Sequence, residues 1–142
     1  MIDVRFNHME LTFPRGDLDA ATLADIYSFY GGVFGWSNTE DHVGGEPAHI
    51  LGVGDQFILL AESDSPIASP GLDHLGLMVA TRSEVDELHD ACRRFAKTDD
   101  RVEILEFEDI VKPEFGLTQH FFYVRYLLPL FFDVHSAEFQ SS

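Results

Sequence analysis

Cations are scarce in this chain: nine Lys and Arg face 25 Asp and Glu, a formal net charge of −16 over 142 residues. That excludes nucleic acid and an anionic membrane surface as partners, because both are held through clustered basic side chains. Cysteine is nearly absent. The lone Cys92 has no partner for an internal disulfide, so a reducing compartment is the default, and ELHDACRRF gives it no placed base to make it a nucleophile. No apolar run approaches membrane-spanning length, and MIDVRFNHME shows no basic-then-apolar leader, so the expectation is a cytoplasmic protein. Also missing are a Gly-rich phosphate loop, a Ser-His-Asp order and a Cys-x-x-Cys pair. Nucleotide binding, serine hydrolysis and thiol redox chemistry drop out with them.

What the chain has is aromatic, apolar and repeated. A hydrophobic fraction of 45% and thirteen Phe predict a folded globule, either one compact domain or two small modules sharing a core. One pattern occurs twice. RFNHMELTF carries His8 in an alternating run, and GLDHLGLMVA carries His74 in another about half a chain later. Each is followed by a turn, an amphipathic helix and further strands, so an internal duplication sets the fold class.

The first copy spans 1–62. A strand over 4–13 puts Phe6, His8, Glu10 and Thr12 on one face and Met9, Leu11 and Phe13 on the other. PRGD turns the chain. Leu23, Ile26, Tyr27, Tyr30, Val33 and Phe34 then fall at helical spacing over about 18–34, and Gly31, Gly32 and Gly35 weaken and stop that helix. WSNTED, AHILGV and QFILLAES read as three strands with GG and GD turns between them. A Ser/Pro-rich linker, 63–71, leads to the second copy, 72–142. There a strand over 72–80, a helix capped by Thr81 or Ser83 and running to about Lys97, a strand in RVEILEFEDI, and a final pair TQHFFYVRY and LPLFFDVHS repeat the order.

Each helix must bury its apolar stripe on one face of its own sheet, which leaves the other face free. Strand parity puts His8 and His74 on that free face, opposite Met9, Leu11, Leu75 and Leu77. Asp133 lies between Phe132 and Val134, with Phe131 and His135 on its own side. Two imidazoles and a carboxylate are the donors of a divalent-metal site. The bland alternatives are strand histidines bonded to their neighbours and an Asp133–Arg125 ion pair across the last hairpin.

With FNHMEL, the helix end FYGGVFGW, DHLGLMV and FYVRYLLPLFFDVHS together, the chain resembles the vicinal oxygen chelate superfamily. That group includes glyoxalase I, extradiol dioxygenases, fosfomycin resistance enzymes and bleomycin-binding proteins. The resemblance implies an α+β fold, two βαβββ modules forming a cup-shaped mixed sheet with the helices on the outer face. It implies His8, His74 and Asp133 as metal ligands for Fe, Mn, Zn, Ni or Co. It also implies a small substrate chelated through adjacent oxygens, dioxygenase, isomerase or lyase chemistry, and a homodimer. Four-ligand glyoxalases place a glutamate where this chain offers Leu59 or Leu60, and Glu62 lies too far along; Asp133 stands where the family has Glu; the family's D-P-D-G turn is replaced by YLLP. The alternative it implies is a metal-free protein that sequesters a small molecule, like the bleomycin-binding members.

Tyr123 matches a cup-lining tyrosine of the fosfomycin branch, as a substrate contact or a sheet anchor, and Glu10, on the His8 face, is a candidate base. His49, His120 and His135 are candidates for positioning or proton shuttling, and Trp36 for closing the helix-to-strand corner. His42 and His89 are expected to face solvent.

Overall fold

The computed structural model describes residues 1–140 and divides into two units, Met1–Ala68 and Ser69–Ser142. Unit one runs β1 (His8–Phe13), α1 (Ala20–Phe34), β2 (Ser37–Val43), β3 (Glu46–Val53) and β4 (Gln56–Glu62). Its sheet order is β1-β4-β3-β2, with β1 parallel to β4 and the other pairs antiparallel. Asp19 starts α1: its carboxylate accepts the Thr22 N–H at 2.8 Å, one of the donors a helix leaves unpaired at its start. Gly35, at φ 72°, ends it by donating to Gly31 at 3.0 Å, a conformation that costs glycine nothing. Trp36 stacks on Tyr30 and Phe34 at 5.5 and 5.1 Å and closes the corner as expected. Gly44 and Gly45 both have positive φ, as a tight hairpin between β2 and β3 requires.

Unit two repeats the plan. It runs β5 (His74–Met78), α2 (Arg82–Ala96), β6 (Glu103–Glu106), β7 (Ile110–Lys112), a 3-10 turn at Pro113–Phe115, β8 (Leu117–Arg125) and β9 (Phe131–Phe139). The order is β5-β9-β8-β6, with β7 also on β8. Thr81 caps α2 by accepting the Glu84 N–H at 3.1 Å, and Glu84 reaches back to the Ala80 N–H at 2.9 Å.

In each unit one sheet face meets the helix. In unit one it carries Leu11, Phe13, Ile58, Leu60 and Leu51, buried with Leu23, Ile26, Phe29 and Tyr30 of α1. In unit two it carries Phe132, Val134, Phe122 and Val124, buried with Val85 and Cys92 of α2. Each such side chain contributes about 1.5–3 kcal/mol by leaving water, which fixes strand phase and hence what points the other way.

Two expectations need correcting. The first strand begins at His8 rather than at residue 4, and Phe6 is exposed. Its partner β4 begins only at Gln56, so earlier residues have no ladder to join. RVEILEFEDI is not one strand: Phe107, Glu108 and Asp109 separate β6 from β7, and both pair with β8.

Candidate functional site

Register defines the face of unit two turned away from α2. His74 pairs with Phe131, Gly76 with Asp133 and Met78 with His135; Tyr123 lies across from Asp133 and Phe121 from His135. His74, Asp133, Tyr123 and His135 therefore share one face. His74 Nε2 lies 3.9 Å from Asp133 Oδ2 and 3.4 Å from the Tyr123 hydroxyl.

Hydrogen bonds fix the protons. His74 Nδ1 lies 3.0 Å from the Leu72 carbonyl, which can only accept, so Nδ1 carries the hydrogen and Nε2 keeps its lone pair. Gln119 Nε2 lies 3.2 Å from His135 Nε2 and donates to it, which puts the His135 proton on Nδ1, 3.3 Å from Asp133 Oδ1. Asp133 thus has one oxygen held by His135 and the other toward His74. An imidazole lone pair and a carboxylate oxygen, both acceptors, face each other across a gap too wide for a hydrogen bond. That donor set fits a divalent cation, and the Nδ1–H anchor is the outer contact that metal-binding histidines use.

Burial and the Asp133 charge push the Tyr123 phenol above its ordinary range, so the hydroxyl stays a donor at neutral pH. Gly76 opens the floor: a Cβ built there meets nothing within 4 Å. Arg125 does not pair with Asp133. It bonds Glu103 at 2.9 Å and lies over the Phe131 ring at 4.3 Å.

In unit one the equivalent strand carries His8, paired in register with Phe57 and stacked on it at 4.7 Å. His8 Nδ1 donates to the Asn7 side-chain oxygen at 2.7 Å, again leaving Nε2 free. Glu10 is exposed on the same strand face. Among the described residues, no group of three or more His, Cys, Asp or Glu is gathered as a ready metal centre. The histidine–carboxylate pair belongs to unit two and His8 to unit one.

Similar architecture recurs in solved structures. A protein of Bacillus anthracis assigned to the glyoxalase family matches 97% of this chain and 98% of its own, with a TM-score of 0.66 and 14% identity. FosX, the fosfomycin resistance protein of Listeria monocytogenes, matches 94% of this chain and 92% of its own, with a TM-score of 0.67 and 16% identity. The same FosX in complex with Mn(II) and sulfate matches 95% and 93%, with a TM-score of 0.61 and 16% identity. The chain has the vicinal oxygen chelate fold. No family model matches it, and neither does any curated protein.

Within the vicinal oxygen chelate fold, the duplication settles which residue of unit one corresponds to Asp133. His8 pairs with Phe57 as His74 pairs with Phe131, so Glu10–Leu59 corresponds to Gly76–Asp133. Leu59, not Leu60, holds the place, and Leu60 packs on the helix face. Glu62 is committed elsewhere: its Oε2 accepts the Gly16 and Leu18 N–H groups at 2.9 and 3.0 Å and ties down the PRGD turn.

The remaining histidines divide by face. His135 acts on Asp133, as strand parity allowed. His120 lies on the helix side with its ring nitrogens each 2.7 Å from a carboxylate, Asp109 and Asp86. His49 also faces the helix. His42 is exposed, but His89 is not free in solvent: it bonds Glu106 at 2.9 Å and meets Phe122 edge-on. Gln119 carried no sequence signal, because its role depends on register with His135.

Proposed function

We propose that this chain is a small metal-dependent enzyme of the vicinal-oxygen-chelate kind, with His74, Asp133 and His8 as the protein ligands. The observation that carries this reading is the His74 Nε2–Asp133 Oδ2 pair, 3.9 Å apart with both proton positions set from outside. Imidazole and carboxylate donors suit Mn, Fe, Co, Ni or Zn. Such an ion would polarise adjacent oxygens of a small substrate and stabilise negative charge developing on them, in dioxygenase, isomerase or lyase-type chemistry. The Tyr123 hydroxyl donates to a substrate oxygen, and Glu10 on the His8 strand takes up a proton. Among the described residues no helix is long and apolar enough to cross a membrane, and we assign the protein to the cytoplasm. β1 and β5 each end their sheet, and covering such edges favours a homodimer.

Metal analysis of protein purified without chelator, followed by Mn(II), Fe(II) and Zn(II) titration of wild type and His74→Ala, tests the assignment. Wild type binds stoichiometrically, and the variant loses the metal with its circular dichroism unchanged. Undiminished binding by the variant overturns the ligand set. A wild-type protein that takes up none of the three ions is instead a metal-free sequestering protein.

A further inference from the structure

The two units differ at one matched place on their helix faces. Cross-sheet rows run Leu11–Leu60–His49–Glu40 in unit one and Leu77–Val134–Phe122–Glu106 in unit two. Each helix has 15 residues, and Tyr27 and His89 are the eighth of each. Tyr27, His49 and Glu40 therefore correspond to His89, Phe122 and Glu106.

In unit two the trio is self-contained. His89 bonds Glu106 at 2.9 Å and sits edge-on to Phe122 at 5.0 Å. The space bounded by Val85, His89, Glu106 and Phe122 is about 200 Å³. In unit one the same place opens into a cavity of about 440 Å³, walled by Leu18, Leu23, Ala24 and Pro47 and reached by Tyr27, His49, Glu40 and Glu46. Among the described residues, the buried side-chain polar atoms without a hydrogen-bond partner are the Tyr27 hydroxyl and His49 Nδ1. Both belong to residues lining this cavity. His49 Nδ1 stands 3.5 Å from Glu40 Oε1, an ion-pair distance that does not satisfy hydrogen-bond geometry. Buried polar groups are nearly always paired, so two orphans in one cavity point to an occupant. Burial and the Glu40 charge raise the Tyr27 phenol above its ordinary value, so it remains a neutral hydroxyl.

We propose that the cavity between α1 and the β2–β3 hairpin is a second small-molecule site, taking a primary amine that carries a short apolar tail. An ammonium has three N–H donors, and the Tyr27 oxygen, Glu40 Oε1 and, in the Nε2–H tautomer that an ammonium beside it would select, His49 Nδ1 supply three acceptors. The apolar walls receive the tail, in a volume suited to a small ligand. Glu40 and Glu46 select for positive charge and against carboxylates. Arg15, the nearby cation, is engaged with Glu46 at 3.6 Å and Asp64 at 3.0 Å.

The test is calorimetric titration of the full chain with phenethylamine and with phenylacetate, its anionic counterpart. His49→Phe is the decisive variant, because it installs the residue that unit two uses at this position. It folds, melts no lower than wild type and loses amine binding; Glu40→Gln weakens binding about tenfold, the loss of one charge-assisted bond. Phenethylamine binds wild type one to one and shifts the Tyr27 and His49 NMR signals, while phenylacetate binds at least about tenfold more weakly. The proposal is overturned if phenethylamine fails to bind at millimolar concentration, if phenylacetate binds equally well, or if folded His49→Phe binds the amine as wild type does.

Discussion

His135 and Asp133, two residues apart on β9, lie on one sheet face with His135 Nδ1 3.3 Å from Asp133 Oδ1. The far side of the imidazole takes a bond from Gln119, and the ring stacks on Phe121 at 5.2 Å. Packing and hydrogen bonding together set the carboxylate plane. His135→Phe keeps the stack and removes the bond. Metal affinity should fall by about 10–100-fold, as loss of an outer contact to a ligand does, with little change in melting temperature. Mn(II) titration beside a thermal melt measures both, and unchanged affinity would show that Asp133 needs no such support.

Gly76 offers a steric test of the same face. Its backbone is not left-handed, and an added Cβ meets nothing within 4 Å. Gly76→Ala should fold and gain up to about 0.5–1 kcal/mol by restricting the unfolded chain. Gly76→Phe should fold too, but its ring covers Asp133 and Tyr123 and blocks metal uptake. Urea denaturation and metal titration separate the two effects; normal uptake by Gly76→Phe would mean that this face is not the site.

Asp99 governs part of the acid response. It accepts bonds from Arg101 at 2.7 and 2.9 Å and from the Tyr126 hydroxyl, which hold its carboxyl well below the usual carboxylate range. A depressed folded-state value stabilises the protein above the unfolded pKa of about 3.9, and the benefit is lost as pH falls through the folded value. Asp99→Asn should therefore be less stable than wild type at pH 7, and the gap should narrow below about pH 4. Melting temperatures at pH 7 and pH 3 decide it, and a gap that widens on acidification contradicts the assignment.

Cys92 should be inert while the protein is folded. It is fully buried in α2, and burial pushes its thiol up to about 12, so almost no thiolate exists at neutral pH. Its modification by a disulfide reagent should proceed at the rate of unfolding and accelerate with urea. Fast labelling under native conditions would require a local opening of α2.

Much of this was legible from periodicity. Alternation alone put His74, Asp133 and His135 on one face, because burial of Phe132 and Val134, with half-buried Leu75 paired to Phe132, leaves their neighbours no other direction. The duplicated strand-helix-strand order and the caps at Thr81 and Gly35 were equally local signals. What was not legible depended on partners distant in sequence. The late start of β1 is set by where β4 begins, and the gap between β6 and β7 by their pairing with β8. His89 and His49 both lie in amphipathic segments, yet one is bonded and the other orphaned, a difference that only the residues across the helix–sheet interface decide.

Glu62 holds the PRGD turn through two backbone amides, so unit one uses its acid as scaffolding, while the position matching Asp133 is filled by Leu59. A richer donor set is then a single graft away. Leu59→Glu would add a fourth side chain to the proposed ligand set, on the His8 face, without unfastening the turn, at the expense of dehydrating a carboxylate where the leucine is now 6% exposed. Zn(II) titration of that variant beside wild type would show whether one added carboxylate tightens ion binding on this face.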